Sequence, residues 1–378
     1  NSIRTITAAP ATVPAPATAE AYQLLQHETG LRAPLMRADW FMSRLLRTVQ
    51  GGVYYEARGF VQHRKRLSET EILATLGVSA ELSRNVGGDD RVGIVRSEVT
   101  AQPRAVEAIQ GAIGPVRMTY DKNNDETSVS RHPFYNLLDI VNRANGKETI
   151  FELANGLQGY ILTDGQGKLV DVAPSKLVTD NRVPAPHQAE LFPPLSCIRC
   201  HASTGGVKPC PNNVRTLLTG GKRGGLDVFA DFAGTGFTEV DIDRLAGLYG
   251  GDFDRRLRDS RDRYGDAVFQ ATRGLTAEKA GNAVADAYNA YWYEPVTAER
   301  QMLELGWRAR SPQAAKQALE TLLAKAESDL LIDGQKIARE DPMIHAPLLG
   351  LPIGRQDAER IYAESFRRAY LHRAEVRK

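Results

Sequence analysis

Cysteine is scarce in this chain: three residues in 378. With so few, a second well-spaced cysteine pair is missing, which weakens any reading as a structural zinc site. Long apolar stretches are missing too. No run of about 18 apolar residues occurs, which excludes a membrane-spanning helix from the sequence. Nor is charge of one sign in excess. The 48 Lys and Arg nearly balance 46 Asp and Glu, for a net charge of +2, which gives no reason to expect nucleic acid as a partner. What remains is an ordinary soluble globular composition, 42% hydrophobic and 25% charged. The length is ample for a buried core and suggests two or three domains.

Two of the three cysteines fall in Cys197-Ile198-Arg199-Cys200-His201. Cys-x-x-Cys-His is the spacing that attaches a c-type haem. Two thiols three positions apart lie on one side of a helical turn, where they add to the two vinyl groups of one haem edge. His201 then offers its imidazole to the iron as proximal ligand. Two other readings stay open. Cys197, Cys200, His201 and Cys210 together make a Cys₃His zinc set. A thioredoxin-like dithiol should open a helix after a buried strand, and Leu191-Phe192-Pro193-Pro194-Leu195-Ser196 is rich in proline for that. If haem takes the other two thiols, Cys210 has no partner for an intramolecular disulfide. It reads as a small buried thiol, or as an intermolecular bridge or haem-edge contact.

The chain in order supports an α+β reading. Residues Thr7 to Ala21 form a Pro/Ala linker. A helix is expected over Arg37 to Val49, ended by Gly51-Gly52, and a short strand at Val53-Tyr54-Tyr55. Ser68-Glu69-Thr70-Glu71 has the form of a capping box and opens a helix toward Val78. Val92-Gly93-Ile94-Val95 and Val116 to Tyr120 read as strands. From Thr149 to Val172, three short apolar runs are separated by turn signals at Asn155-Gly156 and Asp164-Gly165-Gln166-Gly167, an antiparallel meander. Asp164 and Asp171 read as turn and solvent-face residues. Thr179 to Pro194 is irregular. Gly220 to Gly225 resembles a phosphate loop but lacks the Walker spacing, and reads as a turn. From Thr238 the pattern is helical, over Thr238–Tyr249, Phe253–Thr272, Thr276–Tyr291, Thr297–Leu305, Pro312–Asp329 and Arg355–Val376. The Arg/Asp run from Asp252 to Asp266 reads as a solvated face. The basic stretch Arg367 to Arg373 suits a helix end, or an acidic partner.

The expected fold is therefore α+β: an antiparallel β meander with helices in the N-terminal part, an irregular haem-binding segment, and an all-helical C-terminal part. The corresponding divisions are a linker at 1–24, an α+β domain at 25–175, a haem-attachment segment at 176–236 and a helical domain at 237–378. This is not the fold of a small class I cytochrome c. In those, a distal Met follows the motif within some tens of residues, and here no Met or His follows until Met302.

Nearly the whole chain, roughly Pro34 to Ala369, resembles a family of monohaem c-type cytochromes common in planctomycete genomes. The resemblance is carried by Leu35-Met36-Arg37-Ala38-Asp39-Trp40-Phe41, by Ser83-Arg84-Asn85, and above all by Ile150 to Tyr160. It continues through Ala173-Pro174-Ser175, Val178-Thr179-Asp180, Leu195 to His201 and Glu294-Pro295-Val296-Thr297. It implies one covalently bound haem c. His132-Pro133 matches a His-Pro of the family. A histidine expected before Ile150 is replaced by Arg143-Ala144-Asn145-Gly146. The chain starts at Asn1 rather than Met, which reads as processing or trimming. Haem c is attached on the outer side of the bacterial cytoplasmic membrane, so a removed secretory signal or an upstream anchor is expected, and with it a periplasmic or otherwise extracytoplasmic location.

The sixth ligand decides the chemistry, because a closed iron passes electrons and an open one binds small molecules. The candidates are Met118, His132, His187, Met302, Met343 and His345, with His132 preferred as the second metal ligand, or no protein ligand at all. The first expectation is an electron-transfer protein that serves a redox partner or a larger complex. The second is a haem enzyme with an open distal position, a peroxidase or small-molecule reductase, with His132 and Arg131 above the iron. A third has the haem merely stapling the fold.

Overall fold

The computed structural model describes residues 38–49, 51–79, 86–95, 97, 100, 102–122, 133–175, 177–179, 190–202, 212–219, 238–304, 310–324, 331–332, 335–336, 345–347 and 349–362. These residues gather into two compact units, 44–286 in one and 38–43 with those from 287 onward in the other.

Helices α1 (Ala38–Leu45) and α2 (Tyr54–Ala57) lead to a short hairpin, β1 (Val61–Gln62) and β2 (Lys65–Arg66). Helix α3 (Glu69–Thr75) follows, and its capping box is formed as the sequence predicts. The Glu71 N–H donates to Ser68 Oγ, and Glu71 Oε2 accepts from the Ser68 N–H at 2.7 Å. Gly77 leaves the helix at φ +77°, a left-handed conformation that disfavours a side chain.

The frame of the larger unit is one five-stranded antiparallel sheet in simple chain order. It consists of β3 (Arg91–Ile94), β4 (Arg104–Gln110), β5 (Pro115–Asp121), β6 (Gly146–Glu152) and β7 (Gln158–Asp164), with α4 (Pro133–Arg143) between β5 and β6. The mixed helical and antiparallel reading is thus correct. The third apolar run of the expected meander, Leu169 to Val172, makes a single bridge from Leu169 to Thr163 rather than a strand.

Alternation divides the sheet into two faces. Ala105, Ile109, Val116, Met118, Tyr120, Phe151 and Ile161 share one core with Ile72 of α3 and with Phe134, Leu137 and Ile140 of α4. Val214 of α6 (Asn213–Thr219) and Tyr249 of α7 (Glu239–Tyr249) join it. On the opposite face Val92, Ile94, Val106 and Ala108 pack against Phe253 and Leu257 of α8 (Phe253–Thr272). The same face carries Ile150 and Tyr160, which meet α5 (Leu195–Ala202).

Both rims of the sheet are closed by side chains. The Tyr160 N–H on outer strand β7 donates to Tyr54 Oη at 2.8 Å, and the Leu162 N–H to Tyr55 Oη at 3.2 Å. On β3 the Gly93 N–H donates to Asn212 Oδ1 at 3.2 Å. The tyrosine contacts correct the expected strand at Val53-Tyr54-Tyr55, which is one turn of helix. Adjacent side chains of a strand point to opposite faces, whereas here both hydroxyls reach the same edge. That shared task outweighs the β propensity of the two tyrosines.

Beyond α8 come α9 (Ala277–Trp292), α10 (Ala298–Glu304) and α11 (Pro312–Ala324). The C-terminal part is not all helical. Strands β8 (Leu331–Ile332) and β9 (Gln335–Lys336) pair as a hairpin, and Val296 bridges Ile353. In the smaller unit Arg355 binds Glu304 through two 2.9 Å hydrogen bonds and lies 4.2 Å from the Tyr291 ring centre.

Candidate functional site

Helix α5 carries the Cys-x-x-Cys-His motif. Its entry is built from Phe192, fully buried, and the two prolines after it. The Ile198 N–H donates to the Pro194 carbonyl at 2.8 Å, while the Phe192 N–H donates to Ser196 Oγ at 3.2 Å. The proline-rich approach therefore starts the helix, and Leu195 anchors it in the interior.

Positions 197, 200 and 201 are three and four apart, so they share one face of the helix. Cys197 is buried, 2% exposed, against Ile150, Tyr160 and Ile198. Cys200 and His201 are half-buried. The His201 and Tyr160 rings lie 6.0 Å apart between centres, tilted by 33°. His201 Nε2 stands 3.9 Å from Glu148 Oε1. The Cys197 thiol donates to the same carboxyl. Glu148 reaches the motif because it sits two residues before Ile150, on the same sheet face. On the other side of α5, a Cβ at Gly281 would stand 2.5 Å from the Ala202 Cβ, so glycine there lets α9 approach.

Burial sets the electrostatics. It pushes the Cys197 thiol up, with Glu148 adding to the effect. Burial also raises the Glu148 carboxyl, opposed by the Cys197 hydrogen bond and the Arg104 charge. Tyr160 is raised well above an ordinary phenol by burial, so it acts as a neutral ring.

The three motif side chains thus converge on one helix face. Among the described residues no three His, Cys, Asp or Glu side chains are placed to hold a metal ion, and Cys210, the fourth member of the Cys₃His set, lies outside them. Cys197 and Cys200 are not joined to each other. An arrangement with one thiol buried, one half-buried and an imidazole beside them suits a tether along a haem edge with one axial nitrogen.

The distal candidates fare differently. His132, His187 and Met343 lie outside the described residues, as do Cys210, Arg131, the glycines at 220–225 and the basic tail. Met118 is buried and pairs across the strands with Thr149, whereas Ile150 and Tyr160 face α5. The sheet stands between Met118 and the motif, which removes it from the set. Met302 is fully buried in α10, and His345 is exposed. Asp164 is a turn residue, its Oδ1 accepting from the Gln166 and Lys168 N–H groups at 2.9 Å. Asp171 pairs with Arg66 at the surface. In the Arg/Asp run, Arg261 and Asp254 form a surface pair, but Arg263 turns inward to Glu152, which also accepts from Ser260.

Sequence reasoning missed Glu148 and the role of Tyr160. Nothing in their neighbourhood of the chain marks them; only the strand register brings them under the motif.

Comparison with protein-family models, with curated proteins and with solved structures found no match. No helix among the described residues is long and apolar enough to cross a membrane.

Proposed function

We propose that the chain is an extracytoplasmic monohaem c-type cytochrome, related to the planctomycete family, that carries electrons to or from a redox partner or larger complex. The observation that supports this is the placement of Cys197, Cys200 and His201 on one face of α5, with Cys197 packed on the sheet and the imidazole beside Tyr160. When bound, haem c supplies a one-electron iron couple.

The chain's own residues do the rest. Cys197 and Cys200 tether the group. His201 presents its imidazole, and the Tyr160 ring limits how that imidazole tilts. Tyr160 is itself held by its backbone N–H on Tyr54 and its hydroxyl on Gln158 Oε1 at 3.0 Å. The sheet and α9 keep α5 from shifting, which suits a site whose geometry should change little as charge comes and goes. A five-stranded sheet with helices on both faces differs from the small class I cytochrome arrangement. Axial ligation moves haem potential over roughly 0.8 V, so His132 as distal ligand sets the chain toward the low end and a methionine toward the high end.

The test is a reduced-minus-oxidised spectrum with a pyridine haemochrome on protein matured with haem-attachment machinery. A thioether-type haemochrome, one haem per chain by intact mass, and loss of the covalent haem in the C197S/C200S variant are expected. Absence of haem overturns the proposal and leaves zinc through Cys210 as the leading account. Ready binding of carbon monoxide to the ferrous protein would move the function to a haem enzyme with an open distal position.

A further inference from the structure

The β1–β2 hairpin turns on two residues, His63-Arg64, with Gln62 paired to Lys65 and Val61 to Arg66. Both turn residues are left-handed, at φ +49° and +64°. Two positive φ values define the type I′ turn, whose favoured pair is Asn-Gly. Histidine tolerates that region better than most side chains, but arginine is strained there. Among the described residues every other left-handed position belongs to glycine, save Arg273 at the end of α8. The sequence thus keeps basic side chains where a small neutral pair would be more stable. Charge is concentrated around the same turn. Residues 58–66 hold Arg58, His63, Arg64, Lys65 and Arg66 and no acid, in a chain whose total charge is only +2. Arg66 is held by Asp171 through contacts of 2.7 and 2.8 Å. Arg58, Arg64 and Lys65 are exposed and form no ion pair among the described residues. The hairpin is also firmly based. The Phe60 N–H donates to the Tyr55 carbonyl and the Leu67 N–H to the Phe60 carbonyl, both at 2.9 Å. The Phe60 ring is buried, 5.8 Å from that of Phe151 on β6.

We propose that this hairpin is a docking surface for the acidic face of a partner protein. The inference does not depend on the haem reading, because no side chain of the motif takes part in it. Backbone strain kept at an exposed turn points to a task for the side chains that the turn displays. Surface cations with no partner in the chain, held on a fixed tip, steer and orient a surface of opposite charge. A membrane fits less well. From Gln62 to Arg66 there is no apolar or aromatic side chain to enter a bilayer beside the cations. A long polyanion fits less well too, since the basic character is confined to one small tip of a nearly neutral chain.

The experiment titrates the full chain, labelled at its backbone amides, with an octaglutamate peptide as probe, at low and at high salt. Amide shifts centred on Arg58 and residues 62–66 are expected, with binding that weakens as salt screens the charges. The R64Q/K65Q variant should bind about fivefold more weakly or worse, as the loss of two exposed charge contacts implies. The H63N/R64G variant keeps a two-residue turn and relieves the strain, so it should melt at a higher temperature and yet lose affinity. That opposite movement is one that a merely structural turn would not give. Absence of binding, shifts elsewhere on the chain, or equal binding of an octalysine peptide overturns the proposal. So does unchanged affinity in both variants, or a turn variant that gains no stability. Tighter binding to phosphatidylglycerol vesicles than to the peptide would replace the protein partner with an anionic membrane. The haemochrome is read on the same sample, so failure of the docking surface and failure of the cytochrome reading are told apart.

Discussion

Two tyrosines show how a single atom can hold a strand. Tyr55 Oη accepts from the Leu162 N–H and donates to the Val170 carbonyl at 2.8 Å, serving the strand and the segment beyond it together. Among the described residues Tyr54 Oη serves only the Tyr160 N–H. Replacing either by phenylalanine keeps the ring and strips the hydroxyl, leaving buried backbone groups without a partner. Tyr54→Phe should cost about 1 kcal/mol and Tyr55→Phe about 2 kcal/mol, read by denaturant unfolding with an unchanged m-value. Equal, negligible losses would mean that water replaces the hydroxyls. The motif itself is legible at this scale, since five consecutive residues make it up. Glu148 was not. A glutamate among Lys147, Thr149 and Ile150 looks like any solvent-facing strand residue, and it becomes part of the site only through the register of β5, β6 and β7.

Among elements, those with polar end signals were the most readable. Phe253–Thr272 was expected and found with the same ends, and Thr238 caps α7 with Asp241 completing the box. In α3 the Glu71 carboxyl is held low by the Ser68 N–H and hydroxyl. Its folded value lies below the ordinary glutamate value of about 4.3, so the stabilisation is present above that pH. It fades as pH falls through the folded value. Glu71→Gln should therefore lower the melting temperature at pH 7, and by less as the pH falls through the folded value; a loss that stays constant into acid would contradict the ionic account. Strand β4 was missed for a physical reason. Arg104 and Glu107 interrupt its apolar run, yet both are buried, because Asp121 answers the first and Arg91 with Tyr120 the second. Helix α4 is a further element that the sequence reading lacks, although Phe134, Leu137 and Ile140 mark a buried face and Pro133 is its first residue.

At the scale of the molecule, the sheet and α5 both lie within residues 44–286. A fragment of those residues is expected to fold and to take up one haem per chain, measured by haemochrome and mass. A fragment that stays unfolded would show that the smaller unit is needed to complete the larger. The closed rims of the sheet carry a consequence for the newly folded chain. An antiparallel sheet with bare outer strands invites a second copy to add itself, and fibrils grow by that route. Here Asn212 at one border and Tyr54 with Tyr55 at the other already occupy donors that an incoming strand would seek. A folded chain is thus shielded from self-templated aggregation by three side chains that lie outside the Cys-x-x-Cys-His motif.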